Sequence, residues 1–404
     1  MESKLFTPFK LGPVTLRNRT IRSAAFESMG KDFGPTQQLK DYHVAVARGG
    51  IGMTTLAYAA VCRSGLSFNK QLWLRPEIVP GLRDITDAIH REGAAAAIQI
   101  GHCGNMTHWS TAGQMPIGAS TGINLYAYTP VRGMRHSEIE QVAKDFGRAV
   151  HTAHDAGFDS VELHAGHGYL ISQFLSPYTN HRKDEYGGSL ENRMRFLRMC
   201  LSEAVEAARA CGMAITVKHN MYDGFKGGIE IPESIEIAKV IESFGVDGIV
   251  LSGGFVSKAP MAVMRGLIPL YTMSYYSPWW LRYFIRWCGP FMIKQFPFSE
   301  CYFLEDARKF REALKGTLIY VGGLVSREGI ERALGAGFEL VQMARALVND
   351  PAFVNRLHEG DAATRSECDH RNYCIARMYS VDMKCCKHCP DLPRKIVEEL
   401  KRLP

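Results

Sequence analysis

The amino-acid sequence predicts an α/β protein whose strands and helices alternate to close a (β/α)8 TIM barrel. Short apolar runs alternate with amphipathic stretches along most of the chain, as in a parallel sheet covered by helices. A doubly wound open sheet is the alternative, but the chain contains no G-x-G-x-x-G motif of a dinucleotide-binding domain. There are eight apolar runs, the number that closes a barrel, at residues 20–25, 51–57, 95–100, 160–163, 214–218, 248–251, 318–321 and 340–343.

Amphipathic stretches between these runs predict the covering helices. Two of them have a clear start, because Ser189 and Ser326 each place a hydroxyl before acidic residues of the first turn. Four are followed by a glycine that can end a helix in the left-handed conformation: Gly157, Gly212, Gly245 and Gly337. The predicted helices cover residues 76–92, 137–156, 189–211, 232–244, 305–314 and 326–334.

Two segments interrupt this rhythm. Residues 101–135 follow the third strand, are rich in Gly, Thr, Pro and Tyr, and are expected to arch over the barrel mouth. Residues from about 253 to 303 form a long aromatic-rich insertion after strand 6, and the part from 271 to 303 holds thirteen aromatic residues. We therefore expect a barrel that carries one large additional element.

The insertion contains a periodic aromatic stripe. Trp279, Tyr283 and Trp287 recur every four residues, with Trp280 and Phe284 beside them, which predicts a helix with one aromatic face. Such a face most often packs in the core or against another subunit, with a substrate lid or an interfacial membrane anchor as alternatives. Charged and helix-breaking residues in the same stretch exclude a membrane span: Arg282, Arg286 and Pro290.

Length and composition restrict the class of protein. The 404 residues suit one large barrel plus a small appendage, and 46% hydrophobic with 22% charged residues is ordinary for a soluble domain. The net charge of +7 is scattered, so no nucleic-acid partner is predicted. The N-terminus has no signal-peptide pattern, and no apolar stretch is long enough for a transmembrane segment. We expect a cytoplasmic protein that acts on a small molecule, and a homo-oligomer stays open.

The most informative motif is His164-Ala-Gly-His167-Gly-Tyr169, at the C-terminal end of the fourth predicted strand. Barrel enzymes place their chemistry at these strand ends. Two imidazole N–H groups can hold a carbonyl or phenolate oxygen, and a nearby phenol can supply a proton. The alternative is a set of hydrogen-bonded loop residues that only supports a turn, which fits poorly with two histidines and a tyrosine within six residues.

This motif resembles the Old Yellow Enzyme family of FMN-dependent NAD(P)H oxidoreductases, as do Ser176-Pro-Tyr-Thr-Asn-His-Arg182, Tyr186-Gly-Gly-Ser-Leu-Glu-Asn-Arg193 and Tyr320-Val-Gly-Gly323. The resemblance covers about residues 1–358, the expected FMN-binding barrel, and leaves 359–404 as a Cys-rich C-terminal extension. It implies FMN at the barrel mouth, NADH or NADPH as reductant, and hydride transfer from flavin N5 to the C=C bond of a small-molecule enone. It also implies that His164 and His167 hold the carbonyl and that Tyr169 donates the proton.

The same resemblance implies the residues that contact FMN. The amide of Gln99 offers a donor and an acceptor to the flavin pyrimidine edge, with a strand-capping role as the alternative. Lys218 would stabilise charge near flavin N1 and O2; many family members carry Arg here, and Lys lacks its bidentate fork. Ser23, Ala24 and Ala60 are carried over from the first two strands. After strands seven and eight, the phosphate is expected at Gly322, Gly323, Ala344 and Arg345.

Five of the eleven cysteines lie between residues 368 and 389. Iron–sulfur relatives of the dienoyl-CoA reductase type carry four cysteines near this point, and a related enzyme with a cluster is an alternative function. In this chain Arg371 stands where such a pattern wants a thiolate, so a cluster or zinc would need unusual spacing. We predict free thiols and no metal; the candidate ligands would be Cys368, Cys374, Cys385 (or Cys386) and Cys389.

Two functions of other classes stay open. Lys218 near a strand end could form the Schiff base of a lyase, although Gln99, the Gly-Gly pair and Arg345 favour a flavin enzyme. Alternatively, the aromatic segment could be a docking or membrane-surface module on a barrel without activity, which the intact His164, His167 and Tyr169 argue against. The sequence predicts neither the physiological alkene nor the choice between NADH and NADPH.

Overall fold

The computed structural model describes residues 3–124, 129–378 and 380–403, except for the side chain of Trp280. The predicted strands are all present, with the first ending earlier and the second running further than expected. In chain order the strands are β1 (Phe9–Leu11), β2 (Val14–Leu16), β3 (Thr20–Arg22), β4 (Met53–Ala60), β5 (Leu72–Trp73), β6 (Ala95–Gly101), β7 (Ile117–Gly118), β8 (Gly122–Asn124), β9 (Thr129–Gly133), β10 (Ser160–Ala165), β11 (Ala214–Asn220), β12 (Gly248–Ser252), β13 (Leu318–Val321) and β14 (Leu340–Met343).

Eight of these strands close a parallel barrel in the order β3-β4-β6-β10-β11-β12-β13-β14, with β14 pairing back to β3. The predicted (β/α)8 TIM barrel is therefore confirmed. The β1–β2 hairpin covers the N-terminal end, because Leu11 and Leu16 pack with the inward residues Met53, Ala214 and Leu340 near the start of their strands. The opposite end, where the strands finish, is left for the site.

The six predicted helices are confirmed within a few residues. Ser189 and Ser326 cap two of them, accepting hydrogen bonds from Asn192 N at 3.3 Å and Gly329 N at 3.0 Å. The helices are α1 (Gln37–Arg48), α2 (Val79–Arg91), α3 (Trp109–Ala112), α4 (His136–Asp155), α5 (Leu170–Leu175), α6 (Leu190–Cys211), α7 (Ile231–Ser243), α8 (Pro260–Met264), α9 (Leu270–Tyr276), α10 (Trp279–Met292), α11 (Leu304–Ala313), α12 (Arg327–Gly335), α13 (Arg345–Asn349), α14 (Phe353–Glu359), α15 (Tyr373–Met378) and α16 (Arg394–Arg402).

The insertion and the C-terminal segment pack together. Tyr373, Ile396 and Leu400 of the tail form an apolar cluster against Tyr271 and Tyr276 of α9. The carboxylate of Glu399 in α16 accepts from the first N–H groups of α9, at 2.7 Å from Tyr271 N and 2.8 Å from Thr272 N. The insertion and the tail therefore form one layer, and the predicted domain boundary at residue 358 stays a prediction.

The predicted aromatic helix exists as α10, but its stripe does not enter the core of this chain. Trp279, Tyr283 and Trp287 are 77%, 71% and 75% exposed. Core packing, which the sequence pattern favoured together with a subunit interface, is therefore wrong. The reason is that α10 packs through its opposite face, on Ile285 and Gly289. The side chain of Trp280, predicted beside the stripe, lies outside the described part of the structure. Among the described helices, none is long and apolar enough to cross a membrane.

Candidate active site

The His164–Tyr169 turn begins where β10 leaves the barrel. His167 has φ +60° and Gly168 has φ +81°, both in the left-handed region. A Cβ at Gly168 would lie 2.4 Å from the Phe255 ring, so only glycine fits there. The backbone of His167 is fixed on both sides, because its N–H donates to Asn220 Oδ1 at 3.0 Å and its carbonyl accepts from Val256 N at 3.0 Å. Loops after β11 and β12 therefore hold this turn.

The turn brings together the three predicted catalytic rings. The His164 and His167 ring centroids are 5.0 Å apart, and the His164 and Tyr169 centroids are 4.6 Å apart. Tyr58 from β4 adds a fourth ring 5.0 Å from Tyr169, and its hydroxyl is hydrogen-bonded to Ser67. His164 and Tyr169 are buried, and His167 is partly exposed. The result is a compact polar and aromatic wall at the end of β10.

Both imidazoles are held in the neutral form. Burial, together with the charges of His167 and Lys218, holds the pKa of His164 well below its usual range. Burial and the Lys218 charge lower the pKa of His167 to about 3. Since Gly166 N–H points to His164 Nδ1 at 3.4 Å, that nitrogen accepts and the ring proton is on Nε2. His164 can therefore donate one neutral N–H from Nε2, while His167 Nε2 lies 2.8 Å from Ser252 Oγ.

A buried polar network forms the floor of the site. Lys218 Nζ lies 2.8 Å from Glu162 Oε1 and donates to Ser23 Oγ at 3.3 Å. The amides of Gln99 and Gln342 donate to the two oxygens of Glu162, at 2.7 and 2.8 Å. Burial lowers the pKa of Lys218, and the neighbouring Glu162 opposes that shift. Three predicted residues, Gln99, Lys218 and Ser23, are therefore brought together around one carboxylate.

Glu162 and Gln342 are functional candidates that the sequence reasoning missed. Glu162 is only 2% exposed and lies inside the barrel, two residues before His164. Its signal was present in the sequence, since a charged residue in the apolar run Ser160-Val-Glu-Leu163 has to be paired when the strand is buried. The Gln342 Oε1 atom is buried and has no hydrogen-bond partner among the described residues, which leaves an acceptor for a bound group.

The predicted phosphate residues also come together. Val321 pairs with Gln342 in the β13–β14 ladder, so Gly322 and Gly323 follow alongside Met343 and Ala344. The two glycines have φ +137° and +72°, and a Cβ on either would lie within 2.8 Å of atoms in the segment 299–303. Close approach of backbone at this point therefore requires glycine.

Arg345 begins α13 directly beyond these glycines. Its Nη1 donates to Arg265 O at 2.9 Å and to Asn372 Oδ1 at 2.6 Å, and its guanidinium lies 5.6 Å from the Phe298 ring centroid. The insertion and the tail thus hold this arginine from two sides.

The remaining predicted flavin contacts lie near the wall formed by the aromatic rings. Ala24 packs in the cluster that contains Tyr58 and Tyr169, and Ala60 is fully buried at the end of β4.

The cysteine-rich tail contains free thiols. Cys368, Cys374, Cys385 and Cys386 line a small cavity beside Arg345. Within the described residues, one group of three metal-capable side chains has its ligand atoms within 4.8 Å of one another: His136, Asp184 and Glu185. None of the cysteines belongs to this group. The hydrogen bond from Cys386 lowers the pKa of Cys385 to about 6. The expectation that the tail holds no metal stays a prediction.

A family comparison agrees with this geometry. The model of the NADH:flavin oxidoreductase / NADH oxidase family matches residues 4–262, more than half of the chain. The chain belongs to this family. The expected resemblance to Old Yellow Enzyme is thereby confirmed, and with it FMN as cofactor and NADH or NADPH as reductant.

Curated relatives and solved structures give the same picture. A 4,4'-dithiodibutanoate disulfide reductase of Rhodococcus erythropolis is 40% identical over 93% of both chains. An NADPH dehydrogenase of Listeria welshimeri is 36% identical over 64% of this chain and 76% of its own. The old yellow enzyme homologue of Zymomonas mobilis shares the fold, with 22% identity, a TM-score of 0.70 and coverage of 91% and 96%. A 2-naphthoyl-CoA reductase structure has a TM-score of 0.81 at 23% identity; this chain is covered to 99% but spans only 58% of that one.

The residues at the barrel mouth fit FMN. The Gln99 amide, the Lys218 cation and the unpartnered Gln342 oxygen provide buried polar atoms for an isoalloxazine edge. Gly322 and Gly323 carry no side chain at the ends of β13 and β14, where a barrel enzyme commonly holds a phosphate. The arrangement therefore supports an NAD(P)H-dependent flavin oxidoreductase.

Proposed function

We propose that the protein reduces the C=C bond of α,β-unsaturated carbonyl compounds. The observation that carries this proposal is the convergence of His164, His167 and Tyr169 on one turn at the barrel mouth, with ring centroids 4.6 to 5.0 Å apart. Two imidazoles and one phenol on the same wall are the groups that activation and protonation of an enone require.

Each side chain has a separate role in this proposal. His164, through Nε2–H, and His167 hold the carbonyl oxygen and stabilise the negative charge that develops there as the β-carbon is reduced. Neutral imidazoles suit this role, because they donate a hydrogen bond without giving up their proton to the oxygen. Tyr169 then donates its hydroxyl proton to the α-carbon. FMN, when bound by Gln99, Lys218 and the Gly322–Gly323 backbone, supplies the hydride that it has received from NADH or NADPH.

The proposal is tested by separating the two half-reactions in a stopped-flow instrument. Tyr169→Phe is expected to slow reduction of an enone such as cyclohexenone by about 10²- to 10⁴-fold, while reduction of the flavin by NAD(P)H keeps its rate. Tyr58→Phe is the matched control, since its ring is 5.0 Å from that of Tyr169 and its hydroxyl is bound to Ser67. Undiminished alkene reduction in Tyr169→Phe, or an equal loss in both variants, would remove Tyr169 from the proton-donor role.

Ligand binding tests the two histidines independently of turnover. A phenol such as p-hydroxybenzaldehyde is expected to add a long-wavelength charge-transfer band to the flavin spectrum, because its phenolate oxygen would lie between His164 and His167. His164→Ala should weaken this binding by about tenfold or more, the usual loss on removing a hydrogen bond to a charged group. Unchanged affinity in the variant would contradict the proposed contact.

A second candidate function is reduction of a disulfide to two thiols. The relative named 4,4'-dithiodibutanoate disulfide reductase favours it, since the similarity extends over 93% of both chains. Two electrons from NAD(P)H and two protons balance the cleavage of one S–S bond. Lys258 lies two residues after Val256, which binds the His167 carbonyl, and could hold a substrate carboxylate. A far higher kcat/KM for 4,4'-dithiodibutanoate than for cyclohexenone would make disulfide reduction the main activity.

A further inference from the structure

The exposed large hydrophobic side chains are concentrated on one small region. Eleven such residues are exposed among the described side chains, and seven of them lie between residues 275 and 292. Monomeric soluble proteins rarely leave so contiguous an apolar surface open. We call this region the α10 face; its members are Tyr275, Trp279, Tyr283, Phe284, Trp287, Phe291 and Met292.

The α10 face is presented outward by the way in which its helix packs. Trp279, Tyr283, Trp287 and Phe291 are spaced four residues apart and therefore follow one side of α10. The opposite side is fixed to the rest of the insertion: Ile285 is buried, and a Cβ at Gly289 would lie 3.1 Å from Leu270 of α9. Trp279, Tyr283 and Trp287 are consequently 77%, 71% and 75% exposed, and Phe291 is 91% exposed.

The segment that carries the α10 face contains basic residues and no acidic residue. Residues 248–299 contain five basic residues and no Asp or Glu. Within the described structure none of the five forms an ion pair: Lys258, Arg265, Arg282, Arg286 and Lys294. Arg282 and Arg286 lie on α10 and Lys294 follows it, so these three exposed residues add unpaired positive charge to the apolar surface.

Neighbouring groups fix these cations without neutralising them. Arg286 Nε donates to Ser274 Oγ at 2.7 Å, and Arg282 Nε donates to Ser277 O at 3.1 Å. In the adjacent α16, Glu399 is occupied by the N-terminal N–H groups of α9, and Glu398 pairs with Arg394 at 2.8 Å. The two arginines therefore keep their charge available at the edge of the α10 face.

We propose that the α10 face docks on the surface of a bilayer that contains anionic phospholipids. Tryptophan and tyrosine are the residues that favour the headgroup region of a membrane, and basic residues beside them attract anionic lipid. The helix has 14 residues, about 21 Å at 1.5 Å per residue, so it lies in the interface instead of crossing a hydrocarbon core of about 30 Å.

A second copy of the chain is a poorer occupant on the same observations. In a symmetric dimer the same patch meets itself, so the basic residues of one copy would lie against a patch that also carries Arg282 and Arg286. The segment offers no carboxylate to compensate, and like charges at an interface are unfavourable. An anionic lipid surface supplies the missing negative charge and covers the aromatic side chains at once.

The test is co-sedimentation of the full-length holoprotein with vesicles. We expect binding to phosphatidylcholine vesicles that contain about 30% phosphatidylserine, and much weaker binding to phosphatidylcholine alone or at about 0.5 M salt. Trp287→Ser with Phe291→Ser should lower the partition coefficient by about tenfold or more. Trp109→Ser with Ile123→Ser is the matched control, since both residues are exposed apolar side chains outside the α10 face and should leave binding unchanged.

Two double variants that remove positive charge measure the electrostatic contribution to vesicle binding. Arg282→Gln with Lys294→Gln should weaken binding to the anionic vesicles by about fivefold for each charge, while Lys10→Gln with Lys144→Gln, the same charge change on other exposed surfaces, should not. Absence of vesicle binding, or equal losses in test and control variants, overturns the proposal. Conversion of a dimer to a monomer by the Trp287/Phe291 variant, without any vesicle binding, would assign the α10 face to self-association.

Discussion

Replacement of the buried Glu162 by Gln is the perturbation that tests the floor of the site most directly. Glu162 Oε1 lies 2.8 Å from Lys218 Nζ, and both side chains are 2% exposed. At an effective dielectric constant of about 20, unit charges at this separation attract by about 6 kcal/mol, which offsets the loss of hydration of the two groups. The substitution leaves Lys218 buried beside a neutral amide, and breaking such a pair typically costs about 3–5 kcal/mol.

The pH dependence gives the variant a signature. Burial already lowers the pKa of Lys218, and Glu162 opposes this shift. Without Glu162 the folded-state pKa falls further below the unfolded value of about 10.4. Between these two values the unfolded chain binds one proton more, so stability rises with pH by about 1.4 kcal/mol per unit. The deficit is therefore greatest at low pH and shrinks as the pH rises towards 10.

The assay is urea denaturation followed by tryptophan fluorescence, at pH 7 and pH 9. We expect a lower urea midpoint for Glu162→Gln at pH 7 and a smaller difference from the wild type at pH 9. Glu92→Gln is the control, because Glu92 pairs with Arg48 at a similar 2.7 Å but on the surface, and its midpoint should not change. A Glu162→Gln midpoint equal to that of the wild type at both pH values would refute the role assigned to the pair.

Three further predictions concern the turn, the cofactor and the substrate. Gly168→Ala should destabilise the fold by about 2–3 kcal/mol and impair turnover, because a Cβ would meet Phe255. Gly245→Ala is the control: Gly245 has φ +74° but open space around it, so the variant should lose only about 1 kcal/mol of unfolding free energy in the same denaturation assay. Arg345→Met should lower the ratio of FMN to protein that survives gel filtration, whereas Arg356→Met, whose partner Asp350 is on the surface, should keep the wild-type ratio. Lys258→Ala should raise KM about tenfold for a dicarboxylate disulfide and leave KM for cyclohexenone unchanged. Equal KM values of the wild type and the variant for the disulfide would show that Lys258 does not bind the substrate.

The barrel could be predicted because each of its strands and helices is specified by residues that are close together in the sequence. Each strand is an apolar run bounded by polar residues, and each strand end carries its own side chains. The helix ends are equally local: Gly212 follows α6 with φ +66°, and the hydroxyl of Ser189 caps its start. Because parallel strands end on the same side, placing Gln99, Lys218 and His164 at strand ends was enough to bring them together.

Partners that join distant parts of the chain could not be predicted in this way. Glu162 connects Gln99, Lys218 and Gln342, which lie on three other strands, and the sequence contains no spacing that relates them. The exposure of α10 was missed for a related reason. A helical aromatic stripe is the same pattern whether it faces a core or solvent, and only the packing of Gly289 on Leu270 decides which side turns outward.

Arg345 shows how these long-range contacts bear on function. The resemblance assigned it to the phosphate from its place after strand eight alone. In the structure its guanidinium is held by the Arg265 carbonyl of the insertion and by Asn372 of the tail, 80 and 27 residues away in sequence. Both segments belong to the layer that carries the α10 face. Arg345 is held by the insertion and the tail, and it is also proposed to hold the FMN phosphate. A substitution that changes the packing of the insertion should therefore alter FMN retention even when it replaces no residue proposed to contact the flavin.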